Sequence, residues 1–354
     1  MKTFAADRFA PNDTELSTLR NMIDGASILV TGATGTFGKV FVAKVLSQFN
    51  PGRLIVFSRD ELKQYEMQNT EPYRSNADRL RFFIGDVRDA GRLEMAMHDV
   101  DIVIHAAAIK QVEAAEYNPF ECIRTNVLGA QNVVEAALRN GVKRVIALST
   151  DKAVSPINLY GASKLASDKI FVAANNLTGN MPTRFSIVRY GNVMGSRGSV
   201  IPVFRRMINE GADSLPITDP RMTRFWITID QGVNFVLSSL VRMQGGEIFV
   251  PRIPSMKVSD LASAMAPHLP QRVIGIRPGE KLHEMMIPEG DARTTVRLGD
   301  CYAILPAYSF WRDKDAPPLQ AGELMADNFS YTSDNNNEWL DIPTMAAFLQ
   351  DQAM

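Results

Sequence analysis

The chain is poor in cysteine and histidine and has almost no net charge. Its 354 residues include two cysteines and four histidines, and 38 basic residues nearly balance 39 acidic ones. Cys122 and Cys301 lie too far apart in sequence for a disulfide framework or a metal-ligand spacing, and a formal net charge of −1 provides no basic field for nucleic acid. We therefore expect no metal site, no nucleic-acid partner and a reducing, cytoplasmic compartment.

Long apolar runs are also missing. No run approaches the roughly 18 residues that a membrane-spanning helix needs, and residues 1–21 lack the continuous apolar core of a signal peptide. We therefore expect no membrane partner. The composition, 45% hydrophobic and 22% charged, is typical of a globular chain, and the length suits two domains or one domain with an added lobe.

Six apolar strands separated by helical segments indicate an α/β fold with a parallel, doubly wound sheet of the Rossmann type. We predict these strands at 27–31, 53–57, 80–84, 101–105, 142–148 and 184–190. Right-handed crossovers place the loops after these strands on one edge of the sheet, where ligands bind in such folds. The predicted divisions are an N-terminal extension (1–22), a nucleotide-binding domain (23–198, with 225–250 returning to it) and a smaller C-terminal substrate-binding lobe (199–224 and 251–354).

The loop after the first strand reads Gly32-Ala-Thr-Gly35-Thr-Phe-Gly38 and leads into a helical pattern. This order is typical of a dinucleotide site, because glycines let the backbone approach a pyrophosphate and the helix N-terminus supplies N–H groups. The spacing is G-x-x-G-x-x-G rather than the G-x-G-x-x-G of many dehydrogenases. The expected cofactor contacts in this loop are Gly32, Thr34, Gly35, Thr36, Phe37 and Gly38.

The end of the second strand indicates which dinucleotide binds. NAD enzymes usually place an acidic residue there to accept hydrogen bonds from the ribose hydroxyls. This chain has Ser58 and Arg59, with Lys63 one turn later. Cations suit a 2′-phosphate, so the sequence favours NADP over NAD, although a shift of one residue would bring Asp60 into this place and reverse the preference.

Further cofactor contacts are expected after the third and fourth strands. Asp86 and Val87 are placed to meet the adenine ring, and Lys110 follows in a loop at the carboxyl edge of the sheet. Asn126 lies on a core helix, where it can hydrogen-bond the backbone or hold a water molecule near the site. The small residues that let the cofactor lie close to the sheet are Ala106, Ala107 and Ala108.

Two motifs around the fifth strand carry the candidate catalytic groups. Ser149-Thr-Asp-Lys152 ends the strand, and Tyr160-Gly-Ala-Ser-Lys164 begins a helix with its tyrosine and lysine one turn apart. A nearby ammonium favours the phenolate of Tyr160 and lowers its pKa, so Tyr160 can take the proton of a substrate hydroxyl while hydride leaves the carbon. Thr150 can hydrogen-bond the same oxygen. An isolated Tyr-x-x-x-Lys pair is more often an exposed helical pair, and only the upstream dinucleotide loop favours catalysis here.

Residues further along are candidates for binding a substrate. Arg224 and Arg277 are expected to hold a diphosphate, because a guanidinium matches phosphate oxygens in a bidentate way. His283 and Glu284 can support the site or lie on a helical surface. The predicted substrate contacts are Lys110, Asn192, Ser199, Val200, Arg224, Arg277 and Glu280.

Together these motifs resemble those of the extended short-chain dehydrogenases/reductases. Within that family they are most similar to the UDP-N-acetylglucosamine 4,6-dehydratases that invert C5, the first enzymes of pseudaminic acid synthesis. The likeness runs from about residue 27 to about residue 340, and the extension before it is longer than the subfamily predicts. Among the stretches that carry it are Ser149-Thr-Asp-Lys-Ala153, Arg221-Met-Thr-Arg-Phe-Trp-Ile-Thr228 and Ile274-Gly-Ile-Arg-Pro-Gly-Glu-Lys-Leu-His-Glu284.

The resemblance implies a UDP-sugar substrate and a tightly bound NADP that is regenerated in each turnover. Hydride leaves C4, the resulting ketone acidifies the C5 proton, water leaves from C6, and hydride returns to C6. Tyr160 with Lys164 would serve O4, Lys152 would be the C5 base, and Asp151 would be the acid for the C6 hydroxyl. Lys152 needs a lowered pKa for this role, which Lys164 and a closed site would provide.

Other interpretations remain open. A nucleotide-sugar 4-epimerase would share every motif except the need for Asp151 and Lys152, and many retaining 4,6-dehydratases carry an Asp-Glu pair at this place. A non-catalytic nucleotide-binding protein on the same fold predicts the loss of Tyr160 or Lys164, which are both present. The resemblance also implies a homo-oligomer, since relatives form hexamers.

Overall fold

A ten-stranded sheet forms the centre of the protein in this computed structural model, which describes residues 8–196, 198–308 and 322–351. Residues 1–7 of the predicted extension and residues 309–321 and 352–354 of the predicted lobe lie outside the described part. The strands are β1 (Ser27–Thr31), β2 (Arg53–Ser58), β3 (Leu80–Ile84), β4 (Ile102–His105), β5 (Arg144–Thr150), β6 (Arg184–Tyr190), β7 (Asn192–Val193), β8 (Leu215–Ile217), β9 (Thr223–Ile227), β10 (Ile248–Pro251), β11 (Ser255–Lys257), β12 (Gln271–Val273), β13 (Met285–Ile287), β14 (Thr295–Leu298), β15 (Cys301–Ile304), β16 (Glu323–Leu324) and β17 (Tyr331–Thr332). The helices are α1 (Asp13–Ile23), α2 (Thr36–Gln48), α3 (Glu61–Gln68), α4 (Ala90–Ala96), α5 (Val112–Tyr117), α6 (Pro119–Ile123), α7 (Gly129–Arg139), α8 (Leu159–Ala174), α9 (Val200–Asn209), α10 (Ile229–Arg242), α11 (Val258–Met265) and α12 (Ile342–Asp351).

The sheet confirms the predicted Rossmann-type arrangement. Its order is β16-β14-β15-β10-β6-β5-β4-β1-β2-β3, and all strands from β10 to β3 in this order run parallel. Every residue of β1 is buried, as expected for an apolar strand with neighbours on both sides. The chain builds outward from β1 to β3 and then returns to β4 on the other side of β1. The carboxyl ends of β1 and β4 therefore flank the crevice in which such sheets bind ligands.

The C-terminal part of the chain contributes to this sheet as well as to the smaller lobe. β15 pairs with β10, β14 with β15, and β16 with β14, all antiparallel. These three strands lie within the segment assigned to the lobe. The segment 225–250 reaches the main sheet through β10, whereas β9 pairs with β7 and β11 in a separate three-stranded sheet. The exact domain boundaries stay a prediction.

The smaller lobe has apolar clusters of its own. One cluster surrounds Trp226 and includes Leu261 of α11 and Met345 of α12. A second joins Phe204 of α9 to Leu215 of β8. None of the helices in the described part of the chain combines the length and the hydropathy that a membrane span requires.

The described part of the N-terminal extension is integrated into the core. Asn12 and Glu15 form a reciprocal capping box at the start of α1. Glu15 also accepts a hydrogen bond of 2.7 Å from Arg242 of α10. The ring of Phe9 meets that of Phe235 edge-on, with centroids 5.4 Å apart. The extension therefore covers α10 with both apolar and charged contacts.

Helix α8 lies directly against the short 3₁₀ turn Asp151–Ala153 that follows β5. Asn158 caps the helix, and its side chain accepts a hydrogen bond of 2.7 Å from the N–H of Gly161. A Cβ on Gly161 would lie 2.2 Å from the carbonyl oxygen of Lys152. Only glycine permits this approach, so Gly161 sets the spacing between the turn and the helix that carries the tyrosine–lysine pair.

We expect Phe9→Ala to lower the free energy of unfolding by about 3 kcal/mol, because a buried aromatic ring loses its packing. The same substitution at Phe120, which is 74% exposed, should change it by less than about 0.5 kcal/mol. Chemical denaturation of both variants measures the difference. Equal and small effects would show that the extension does not stabilise the fold through Phe9.

We expect Gly161→Ala to destabilise the protein by about 1–3 kcal/mol, because the added methyl group meets backbone that must move. Gly232→Ala is the matched control. Gly232 is also a buried helical glycine, but a Cβ on it would meet nothing within 4 Å. That control should be neutral or stabilising by roughly 0.5–1 kcal/mol, since alanine favours a helix over glycine. Matching denaturation curves for the two variants would contradict the close approach of α8.

Candidate active site

The five predicted catalytic residues meet where β5 reaches the edge of the sheet. Thr150 is the last residue of β5, Asp151 and Lys152 begin the 3₁₀ turn, and Tyr160 and Lys164 lie on α8. The turn and the helix are adjacent because of the close approach at Gly161, so residues separated by a loop in sequence share one pocket. Asp151, Tyr160 and Lys164 are buried there.

Lys152 is held between two carboxylates. Its ammonium lies 3.0 Å from Oδ1 of Asp151, 3.2 Å from Oε1 of Glu284 and 3.4 Å from Oδ1 of Asn192. Burial by itself lowers the pKa of Lys152, but the two carboxylates outweigh burial and raise it above its ordinary value. The expectation of a lowered pKa is therefore wrong for this structure. The physical reason is the negative charge of Asp151 and then of Glu284 beside the ammonium, which the positive charge of Arg224 does not offset.

Asp151 is suited to hold a proton. Burial raises the pKa of its carboxyl group, and the negative charge of Glu284 adds to the rise while Lys152 opposes it. Its Oδ1 accepts a hydrogen bond of 2.9 Å from the hydroxyl of Thr150. Its Oδ2 is buried and has no hydrogen-bond partner among the described residues. Oδ2 is therefore the carboxyl oxygen of Asp151 that still has the capacity for a further hydrogen bond.

The surroundings of Tyr160 also differ from the expectation. Burial raises the pKa of its phenol to about 12, and the cation that opposes the rise is Lys152 rather than Lys164. Burial lowers the pKa of Lys164, whose charge is supported by Asp168 one turn later on α8. Asp168 in turn accepts a hydrogen bond of 3.1 Å from the buried Arg189. The expected lowering of the Tyr160 pKa is thus wrong here, because burial outweighs the attraction of the ammonium.

The glycine-rich loop fits a dinucleotide. Gly32 has a φ of +65°, and a Cβ on it would lie 2.9 Å from the carbonyl group of Ala106, so only glycine lets the loop after β1 lie against the loop after β4. Helix α2 begins at Thr36 with Gly35 as its cap, and no described side chain caps its first N–H groups. A pyrophosphate is the kind of group that such a helix start binds. The other predicted contacts in these loops are Thr34, Phe37 and Gly38 after β1, Val87 after β3, and Ala107 and Ala108 after β4.

Asn126 hydrogen-bonds the backbone, which is the first of the two roles that the sequence analysis allowed. It lies in a π-helical segment, Arg124–Leu128, between α6 and α7. Its side chain exchanges two hydrogen bonds with the backbone of Ile109, at 2.8 and 2.9 Å, and donates a third of 2.9 Å to Ser163 of α8. Asn126 therefore fixes the loop that carries Lys110, whose pKa is lowered by burial.

The end of β2 carries the exposed cation that the sequence analysis assigned to a 2′-phosphate. Ser58 ends the strand, and the side chain of Arg59 is 58% exposed, with its guanidinium 3.6 Å from Asp86. Asp60 caps α3 by accepting a 3.0 Å hydrogen bond from the N–H of Lys63, and it also pairs with the Lys63 ammonium. Asp60 is thus turned toward its own helix. Lys63 was also predicted to contact the phosphate, but its ammonium is already paired with the Asp60 carboxylate.

Arg224 departs from the expected diphosphate contact. It lies buried on β9, and its guanidinium donates to the carbonyl groups of Thr223, Lys281 and Leu282 at 2.7 to 3.1 Å. Its Nε also lies 3.7 Å from Oε1 of Glu284. These contacts use the guanidinium to hold the chain at 281–284. A direct phosphate contact by Arg224 would require some of them to break.

The other predicted substrate residues differ in exposure and in their local contacts. Arg277 is 56% exposed, and its guanidinium lies 3.2 Å from Glu280 and 3.6 Å from Glu113 of α5. Ser199 precedes α9 and Val200 is its first residue, so both lie at a helix start. Arg277 is therefore better placed than Arg224 to meet an anion that enters from solvent.

Glu284 is a site residue that the sequence left undecided between support of the site and an exposed helical surface. In the structure it is only 2% exposed and lies in a turn before β13 rather than on a helix. Burial opposes its ionisation, but Lys152 and Arg224 outweigh burial and lower its pKa. One feature of the sequence could have indicated that Glu284 is buried and paired. It directly precedes the apolar run Met285-Met286-Ile287, and a charge next to a buried strand needs a partner.

Comparison with known proteins agrees with this geometry. A family model described as "Polysaccharide biosynthesis protein" matches residues 28–306. A protein named UDP-N-acetylglucosamine 4,6-dehydratase (inverting), from Campylobacter jejuni strain 81-176, is 56% identical over 322 residues. That match covers 90% of this chain and 95% of the relative.

Two solved structures are similar in three dimensions. Pen from Bacillus thuringiensis is 33% identical with a TM-score of 0.84, over 94% of this chain and 99% of that chain. DesIV, a dTDP-glucose 4,6-dehydratase from Streptomyces venezuelae solved with NAD and TYD bound, is 25% identical with a TM-score of 0.63, over 72% of this chain and 86% of that chain. The chain therefore belongs to the polysaccharide biosynthesis protein family, with a fold of the short-chain dehydrogenase/reductase type and close similarity to an inverting 4,6-dehydratase.

Proposed function

We propose that this protein is an NADP-dependent UDP-N-acetylglucosamine 4,6-dehydratase that inverts C5. The product is UDP-2-acetamido-2,6-dideoxy-β-L-arabino-hex-4-ulose, the first intermediate of pseudaminic acid synthesis or of a related nucleotide-sugar pathway. The observation that carries the proposal is the contact of 3.0 Å between Asp151 and Lys152, an acid and a base beside a buried tyrosine. The 56% identity to the Campylobacter jejuni dehydratase supports the same substrate and outcome.

The cofactor would lie across the carboxyl ends of β1, β2 and β4. The loop of Gly32 and Gly35 would hold the pyrophosphate, and Ser58 and Arg59 would hold the 2′-phosphate of NADP. When bound, NADP would supply the redox chemistry, as acceptor and later donor of the hydride that moves from C4 to C6. The exposed guanidinium of Arg59, together with Asp60 turned onto α3, supports NADP over NAD.

The side chains account for the protons of the reaction. As the phenolate, which the Lys152 ammonium favours against burial, Tyr160 takes the proton of O4 while the ketone forms at C4, and Thr150 positions the same oxygen. Lys152 removes the C5 proton, and Asp151 gives a proton to the C6 hydroxyl, which leaves as water. A proton from solvent then adds to C5 from the opposite face and inverts it, and Tyr160 releases its proton to solvent. The sugar thus gives up two protons and receives two, with loss of one water molecule.

A proton shift within the pair prepares both groups. In this structure Lys152 is an ammonium, and an ammonium cannot act as a base. Transfer of its proton to Asp151 along their hydrogen bond produces a neutral amine and a neutral carboxylic acid at once. Burial of Asp151 supports this transfer, because burial favours the uncharged forms of both groups. A 4-epimerase has no use for such a pair.

The resemblance also supports a cytoplasmic homo-oligomer, hexameric as in relatives, with a UDP-sugar as its ligand. Both cysteines are unpaired and buried, which agrees with a reducing compartment. Neither the oligomer nor the compartment enters the chemical proposal.

The test of this function is proton NMR of the purified protein with UDP-N-acetylglucosamine in heavy water, without added cofactor. We expect a 4-keto-6-deoxy sugar with deuterium at C5 and the L-arabino configuration, because Lys152 removes the C5 proton, a deuteron from solvent replaces it on the opposite face, and NADP stays bound. The same product with unchanged C5 would contradict inversion. A simple C4 epimer would identify a 4-epimerase, and an unchanged sugar would contradict the proposal.

The cofactor preference has a separate test in Arg59→Ala. We expect the affinity for NADP to fall at least about tenfold, because the 2′-phosphate loses a charged hydrogen bond, while the affinity for NAD stays the same. Arg74→Ala, which removes another exposed arginine just beyond α3, is the control and should change neither. Calorimetric titration of nucleotide-free protein measures both affinities. An equal loss for the two nucleotides would contradict a 2′-phosphate contact.

A further inference from the structure

Among the described residues that contact Lys152, Glu284 is the one carboxylate that comes from the smaller lobe. Its Oε1 lies 3.2 Å from the Lys152 ammonium and 3.7 Å from Nε of Arg224. Its Oε2 is buried and has no hydrogen-bond partner among the described residues. The catalytic turn after β5 thus receives a charge from a segment more than a hundred residues later in the chain.

The segment that carries Glu284 is held firmly in place. Its backbone N–H donates a hydrogen bond of 2.9 Å to the hydroxyl of Ser333. The carbonyl groups of Lys281 and Leu282 accept from Arg224 at 2.9 and 3.1 Å. The Lys281 ammonium in turn donates to the carbonyl group of Val154, next to the catalytic turn. The Glu284 carboxylate is therefore positioned by contacts with several distant segments and not only by its neighbours in sequence.

We propose that Glu284 is a positioning residue that holds the Lys152 amine over the reacting sugar and supplies the fixed negative charge that lets Asp151 and Lys152 share one proton. This inference rests on the proposed dehydration, since it assigns a role within that reaction. Glu284 contacts Lys152, the proposed C5 base, and is given no contact with the sugar. Glu284 acts through Lys152 and Asp151.

The charges around the pair explain why such a residue is needed. The groups that face Glu284 are the cations Lys152, Arg224 and Lys281 and the carboxyl group of Asp151. Glu284 and Arg224 form a fixed pair of opposite charges. The pair of Asp151 and Lys152 can then exist as carboxylate and ammonium or as acid and amine without a change in total charge. Without Glu284, the positive charge of Arg224 would act on the pair unopposed and favour loss of the shared proton.

The sign of the effect follows from one charge. A negative charge nearby favours the protonated form of any group, so Glu284 raises the pKa of both Lys152 and Asp151. Removing that charge lowers both. The activity of the pair requires one proton between the two groups, so activity falls when the pair gains a second proton at low pH or loses its proton at high pH. The two pH values at which activity falls, one on the acidic side and one on the basic side, must therefore both move to lower pH.

The experiment is the dependence of kcat/KM on pH for Glu284→Gln, which keeps the size of the side chain and removes its charge. We expect both limbs of the profile to shift to lower pH by about one to three units, the usual effect of a charge at this distance. Glu289→Gln is the control, since Glu289 is exposed and five residues further along the same segment. Its profile should match that of the unchanged protein.

Glu284→Asp separates charge from packing. It keeps the negative charge but shortens the side chain, so we expect a lower kcat with limbs close to their original pH. A purely structural role would lower activity in both Glu284 variants and leave both profiles in place, which would overturn the inference. If Glu284→Gln does not fold, Glu284→Ala is the second uncharged variant: limbs that move to lower pH in Glu284→Ala would support the inference, and limbs that stay in place would overturn it.

The unchanged protein distinguishes this inference from the proposed function. If it forms no 4-keto sugar from UDP-N-acetylglucosamine, the proposed function fails and the role of Glu284 fails with it. If it forms the inverted product and the profile of Glu284→Gln does not move, only the role of Glu284 fails. Formation of the product together with a shifted profile supports both.

Discussion

The ammonium of Lys152, held between the carboxylates of Asp151 and Glu284, links the chemistry of this protein to its fold. Asp151 comes from the turn after β5, and Glu284 comes from the segment before β13. Neither element holds the ammonium by itself. Because the unlike charges lie side by side and both carboxylates are buried, each charge affects the protonation of the others. In the mechanism proposed above, the smaller lobe and the Rossmann sheet must therefore be in contact for the pair to share its proton.

The sheet topology provides the frame for this contact. Parallel strands place their carboxyl ends on one edge, so the loops after β1, β2, β4 and β5 meet there. The same edge that fits the pyrophosphate also carries the catalytic turn. The close approach of α8 at Gly161 then brings the tyrosine–lysine pair against that turn. A cofactor and a sugar bound at this edge would be adjacent without any rearrangement of the strands.

Local patterns were sufficient for the elements that depend on near neighbours. The boundaries of β1, β3 and β6 agree with the predicted ranges, because each is an uninterrupted, largely apolar segment between clear turns. The electrostatic expectations for Tyr160 and Lys152 were wrong, because a sequence shows which charges exist but not how deeply they are buried. Arg224 illustrates the same gap, since its guanidinium holds backbone carbonyl groups that no motif identifies.

The sequence alone determined the Rossmann-type sheet, the glycine-rich loop and the motif that carries Asp151, Lys152, Tyr160 and Lys164. Those features depend on apolar periodicity and on residues close together in the chain. Only the tertiary structure decided that Glu284 faces Lys152 and that burial governs the pKa of Tyr160. Contacts between distant segments and the loss of water around a charge arise only when the chain is packed, so no local pattern contains them.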